Sequence, residues 1–198
     1  MKYDLFYYKL LSIYNIKLVG TNFISSSISW LIDAKYRKYS TLNSWLHKQL
    51  INPSKSLKTL ALSLTNSERD DDKTVVNIVK WVKNNVKYKA DPYEEWKGAY
   101  QTFIDKYGDC DDMNCLVYIL CRLAGVHQFK LFCGIGEMDL GGHFFPLYYS
   151  TKELKLVTLD TTYYPNNISV KKRQEFNDLE YHKNIWYMFN EDICIKPL

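Results

Sequence analysis

The feature that most constrains the fold is a polar turn followed by a long apolar segment in the middle of the chain. The turn covers residues 108–112 and contains Cys110, and from residue 113 to 124 almost every side chain is apolar. Aspartates accept hydrogen bonds from the unpaired N–H groups of a first helical turn, and Gly125 is a typical residue just after a helix end. A helix that is apolar on nearly all sides is buried on most of them. The pattern predicts a central buried helix that begins at this turn.

Cys110 falls at the N-terminus of that predicted helix, where the positive end of the helix dipole favours a thiolate over a thiol. Nucleophilic cysteines occur in such positions. The alternative is that Cys110 is a small buried side chain, as most free cysteines are. We assign Cys115, Cys121 and Cys133 to the core, and interpret Asp111 and Asp112 as helix-start residues rather than catalytic acids.

Composition excludes several classes of protein. The chain has 198 residues, a net charge of +4 and five cysteines, none of them in a CxxC pair. The mild charge gives no case for nucleic acid as a partner. An odd number of cysteines without paired spacing predicts reduced thiols, no metal site and no cofactor. No apolar segment is long enough for a signal peptide or a membrane span, so we expect a soluble protein made in a cytoplasm.

The order of the predicted elements indicates an α+β fold. Helical periodicity occurs at residues 5–18, 28–36, 42–50 and 72–88, and alternating or apolar segments predict strands at 129–133, 143–149 and 154–160. Four glycines between residues 134 and 142 predict a loop. We therefore expect a helical N-terminal extension over 1–69 and a domain over 70–198, in which the central helix packs on an antiparallel sheet.

Two polar residues at the ends of neighbouring strands are candidate partners for Cys110. His143 opens one predicted strand and Asp160 closes the next. In an antiparallel hairpin the start of one strand lies beside the end of the other, so the two side chains should be close enough to pair. A cysteine nucleophile needs a base, and the base needs an acceptor that fixes its tautomer.

These motifs together resemble the transglutaminase-like superfamily, in particular its bacterial and phage cysteine-proteinase branch. The resemblance covers about residues 70–165 and lies in residues 108–112, 142–143 and 159–162, in that order. It implies a papain-like fold with Cys110 as nucleophile, His143 as general base and Asp160 as the residue that orients the base. It also implies a side-chain donor in the oxyanion hole, for which Trp96 and Gln101 are candidates.

The resemblance leaves more than one function open. The first is an enzyme that attacks an amide of a protein or peptide substrate and forms a thioester, with water as acceptor in a protease or amidase and an amine as acceptor in a transglutaminase. Hydrolysis is favoured for a small protein of microbial or phage character. The alternative is a structural component of a tailed-phage virion or of its assembly, with other phage subunits as partners, because transglutaminase-like domains also occur there.

Overall fold

The computed structural model of the chain describes residues 16–17, 37–91, 95–138, 141–163, 169–176, 184–192 and 194–197. The helices in these ranges are α1 Arg37–Ile51, α2 Lys55–Leu64, α3 Asp71–Asn85, α4 Ala99–Asp105 and α5 Cys110–Leu123. The strands are β1 Ile16–Lys17, β2 Lys87–Tyr88, β3 Tyr107–Gly108, β4 Leu131–Met138, β5 Gly141–Ser150, β6 Lys155–Thr158, β7 Asn184–Phe189 and β8 Cys194–Pro197. The predicted α+β class is confirmed.

Helix α5 is the centre of the fold, as the apolar segment predicts. Residues 111–121 are all buried, and Gly125 follows the helix with φ of 94°, the left-handed conformation that glycine adopts without strain. Leu46 of α1, Leu57 of α2 and Val79 of α3 belong to the same buried cluster as Leu116 of α5. The first two helices therefore contribute to one core with α5, and the expected domain boundary at residue 69 stays a prediction.

One face of α5 packs on an antiparallel sheet of six strands in the order β1-β8-β7-β4-β5-β6. The hairpin of β5 and β6 pairs Leu147 with Thr158 and sends the chain back past the start of β5. The remaining strands, β2 and β3, form a short parallel pair that sets Tyr88 opposite Gly108. These two pairings bring residues after β6, at the start of β5 and in β2 toward the N-terminal end of α5.

Two secondary-structure predictions are wrong in part. The helical periodicity over 5–18 includes Ile16–Lys17, which instead form β1 against β8; the rest of that segment and all of 28–36 lie outside the described residues. The glycines assigned to a loop include Gly134 and Gly136, which lie within β4. Gly134 is required there because the ring of Phe145 occupies the space of a side chain: a Cβ on Gly134 would lie 2.3 Å from ring atoms.

We expect Gly134→Ala to destabilise the protein by about 1–3 kcal/mol, since the added methyl must displace a buried ring. Chemical denaturation measures the effect. In a Phe145→Val background the same substitution should have a smaller effect, because the ring is gone. Equal losses of stability in both backgrounds would contradict the steric explanation.

Candidate active site

Cys110 is the first residue of α5, directly after the N-cap Asp109. The turn before it depends on Gly108, which is buried and pairs with Tyr88. A Cβ on Gly108 would lie 2.4 Å from the Cβ of Asp112, so no larger residue fits without moving the helix start. The sequence therefore fixes where the thiol stands relative to β2 and β3.

The thiol of Cys110 is partly exposed and carries its proton in this environment. Burial raises the pKa of Cys110 to about 12, and the negative charges of Asp111 and Asp109 act in the same direction. A hydrogen bond from the backbone N–H of Phe144 opposes this rise, because it stabilises the thiolate. The expectation that the helix start alone lowers the thiol pKa does not hold here, because desolvation and neighbouring carboxylates outweigh it. Such a thiol would need a nearby base in order to act as a nucleophile.

His143 and Asp160 form a buried pair. The His143 Nε2 lies 2.8 Å from Asp160 Oδ2, and the two side chains are 2 % and 0 % exposed. Burial raises the pKa of Asp160, but the hydrogen bond and charge of His143 and the donors of Thr162 outweigh it and bring the pKa down to about 2. An ionised carboxylate only accepts, so Nε2 carries the ring proton and Nδ1 carries the lone pair that can take another.

The backbone joins this pair to Cys110. Phe144, whose N–H contacts the thiol, is the residue after His143. The chain segment that holds Asp160 is fixed from a third element, because Lys83 of α3 donates to the carbonyl oxygen of Thr161 at 2.8 Å. Three parts of the chain thus converge at the N-terminal end of α5.

The two candidate oxyanion donors lie in different surroundings. Trp96 packs edge-on against Phe144, with ring centroids 5.4 Å apart, and so lies near the strand of His143. The side-chain amide of Gln101 is exposed and donates to Asp105 of its own helix at 2.6 Å. The oxyanion role of either side chain stays a prediction.

Exposed aromatic residues that sequence reasoning missed surround the His143 end of β5. Tyr163 is 50 % exposed and stands edge-on to His143 with ring centroids 4.8 Å apart. Trp186 is the extra residue of a β-bulge in β7, and its ring covers Gly142. Bulges often re-aim a side chain beside an active site. In the sequence, Trp186 lies in the apolar segment 185–189, which is typical of core packing and does not indicate a bulge.

Acidic side chains beside the thiol form a cluster that the sequence assigned to helix capping. Asp109 makes no capping hydrogen bond with its side chain. The ligand atoms of Asp109, Cys110 and Asp111 all lie within 4.8 Å of one another, and Asp109 Oδ1 and Asp111 Oδ2 are buried without a hydrogen-bond partner. The carboxylate oxygens of Asp109 and Asp111 suit a hard divalent cation. Within the described ranges, this is the group of side chains that could hold a metal ion.

The acidic cluster predicts an unusual dependence of stability on pH. Burial and the adjacent negative charges of Asp109 and Asp112 raise the pKa of Asp111 from 3.8 to about 9. The folded state then holds a proton that the unfolded state releases, so this contribution is present below pH 3.8 and is lost as pH rises through about 9.

The melting temperature of Asp111→Asn minus that of the wild type should therefore increase as the pH rises from 5 to 9. The reason is that the amide stays neutral throughout the range of the Asp111 titration. Calorimetry in EDTA, which excludes bound cations, measures the difference. A difference that is constant over this range would contradict the raised pKa.

Comparisons with known proteins agree with this architecture. Residues 58–128 match the family model of the transglutaminase-like superfamily. Solved structures with a similar fold include LapG of Legionella pneumophila, with 17 % identity, 81 % of this chain and 86 % of LapG covered, and a TM-score of 0.57. The calcium-bound form of LapG is 19 % identical; the match covers 71 % of this chain and 86 % of LapG, with a TM-score of 0.50. A comparison with the sequences of curated proteins gives no match.

The family match over residues 58–128 and the shared fold make this part of the chain similar to the transglutaminase-like superfamily, which its motifs also resemble. Among the helices that the structure describes, none is both long and apolar enough to cross a membrane.

Proposed function

We propose that the protein is a cysteine hydrolase that cleaves an amide bond of a protein or peptide through a thioester on Cys110. The observation that carries the proposal is the buried pair of His143 and Asp160, held on the strand whose next residue, Phe144, contacts the Cys110 thiol. A buried histidine whose tautomer is fixed by a carboxylate is the kind of base that activates a weak nucleophile.

The reaction begins when His143 Nδ1 takes the thiol proton while the sulfur bonds to the amide carbon. The carbonyl oxygen becomes an oxyanion, which the N–H of Cys110 at the unpaired end of α5 stabilises, with Trp96 or Gln101 as the proposed second donor. The imidazolium then gives its proton to the leaving amine and the C–N bond breaks. Water attacks the thioester, His143 takes the proton of that water, and the acid leaves as the thiol recovers its proton.

The experiment exposes a denatured proteome to the wild type and to Cys110→Ala in the presence of a fluorescent primary amine. Hydrolysis is expected, so the wild type should create new peptide N-termini that the variant does not. Incorporation of the amine without new termini would assign the acyl transfer to transamidation instead. Identical profiles for wild type and variant would overturn the enzyme proposal and favour the structural role in a virion.

We also propose that a divalent cation binds the acidic cluster. Asp109 and Asp111 would hold it with the buried oxygens that lack partners, and it would supply positive charge in place of the proton on Asp111. Calcium is the first cation to test, because carboxylate oxygens suit it and one solved form of LapG is calcium-bound.

A bound cation should raise the melting temperature by about 5–10 °C at a hundredfold excess over its Kd. The measurement is a calcium titration followed by differential scanning fluorimetry, with magnesium in parallel. The double variant Asp109→Asn, Asp111→Asn should lose the response. A double variant that responds as the wild type does would exclude this cluster as the cation site.

A further inference from the structure

One polar side chain interrupts the apolar surface of α5. Asn114 lies four residues after Cys110, one turn further along the same face of the helix, and it is fully buried. A side-chain amide has two donor hydrogens and two acceptor lone pairs on its oxygen. A buried amide is costly unless these are used, and in Asn114 all four are.

Each of the four hydrogen bonds reaches the vicinity of the His143–Asp160 pair. Asn114 Nδ2 donates to the carbonyl oxygen of Phe144 at 2.8 Å and to Asp160 Oδ1 at 3.1 Å. Asn114 Oδ1 accepts from the backbone N–H and the hydroxyl of Thr161 at 2.9 and 2.8 Å. The partners are thus the residue after His143, Asp160 itself and the residue after Asp160.

The bond to Asp160 also determines how that carboxylate is presented. Asp160 Oδ1 accepts from Asn114 and, at 2.8 Å each, from the backbone N–H and hydroxyl of Thr162. With these donors on Oδ1, it is Oδ2 that accepts from His143 Nε2. Since Asn114 belongs to the same helix as Cys110, its amide couples the position of the thiol to that of the pair.

We propose that Asn114 is a positioning residue that fixes the His143–Asp160 pair, and with it the tautomer of His143, against the Cys110 thiol. The inference rests on the proposed function, because it concerns the same site. Asn114 does not touch the reacting atoms and acts through Asp160 and the backbone of β5. A purely structural role would require only that the amide be satisfied, and it would leave the state of the His143 ring unchanged.

The test combines a spectroscopic and a kinetic readout in the full-length protein. Nitrogen-15 spectra of the histidine rings, with His143 assigned by its loss in His143→Ala, report the tautomer. The rate at which p-nitrophenyl acetate acetylates Cys110 reports the function of the site. The variants are Asn114→Ala and the volume-conserving Asn114→Asp, which keeps the acceptor for Thr161 but places a second carboxylate oxygen beside Asp160 Oδ1.

The control is Ser150→Ala, which removes a buried hydroxyl at the other end of β5 that donates to Asp72 at 2.8 Å. Both Asn114 variants should lose the single-tautomer spectrum of His143 and acetylate about 10²-fold more slowly. Ser150→Ala should keep both properties. The readouts are taken on whichever Asn114 variant folds, as judged by circular dichroism.

Two results separate the inference from the proposed function. If the Asn114 variants keep the wild-type tautomer and acetylate within twofold of Ser150→Ala, Asn114 has no positioning role even though the triad stands. If His143→Ala acetylates Cys110 as fast as the wild type, the proposed function fails first, and the inference fails with it.

Discussion

Cys110→Ala is expected to fold normally and to lose turnover by about six orders of magnitude, as nucleophile removal does in enzymes whose catalytic groups act as a unit. The fold should persist because Cys110 is partly exposed at the first position of α5, where alanine is acceptable. The loss is measured as the rate of product formation on a substrate that the search for new peptide N-termini has identified.

Cys194→Ala is the matched control for this variant. Cys110 and Cys194 are both partly exposed, whereas Cys115, Cys121 and Cys133 are buried. Cys194 lies on β8, in a different part of the sheet from β5, so its loss should leave turnover unchanged. Residual turnover in Cys110→Ala equal to that of Cys194→Ala would remove the nucleophile assignment.

Asp160→Asn is expected to lower turnover by about four orders of magnitude with little change in shape. The reason lies in the proton of His143. An asparagine amide turned toward Nε2 donates where the carboxylate accepts, so Nε2 must become the acceptor and Nδ1 the protonated nitrogen. That tautomer has no lone pair on Nδ1 for the thiol proton, and the negative charge that stabilises the imidazolium is absent.

Asp72→Asn provides the comparison for Asp160→Asn. Asp72 is also engaged, accepting from Tyr148 at 2.7 Å and Ser150 at 2.8 Å, but at the opposite end of β5 from His143. Its substitution should lower stability without affecting turnover at a temperature where the protein is folded. If Asp160→Asn retains turnover within tenfold of the wild type, Asp160 does not orient the base.

The parts of the site that could be predicted are those with local causes. The central helix follows from an apolar segment between a polar turn and Gly125, and α5 has these bounds to within a residue. His143 and Asp160 meet because a hairpin returns the chain past its own start, which the order of two strands and one turn implies. Periodicity and turn residues carry this information within about twenty positions.

The rest depends on contacts between distant residues. The thiol pKa is raised by burial and by charges that only the folded chain brings near Cys110. The aromatic ring of Phe145 explains Gly134 in the middle of a strand, although the glycine itself reads as a loop residue. Asn114 looks like one polar interruption in an apolar helix until its partners, 30 and 46 positions further along, are known.

The most direct test of the central claim is to trap the acyl-enzyme. The protein is mixed with p-nitrophenyl acetate, quenched in acid within seconds and digested, and each cysteine peptide is analysed by mass spectrometry. We predict an acetyl group on Cys110 and none on Cys194, with acetylation of Cys110 slowed at least a hundredfold in His143→Ala. Equal acetylation of Cys110 and Cys194, or a rate on Cys110 that does not depend on His143, would contradict the proposal that Cys110, His143 and Asp160 form a working catalytic triad.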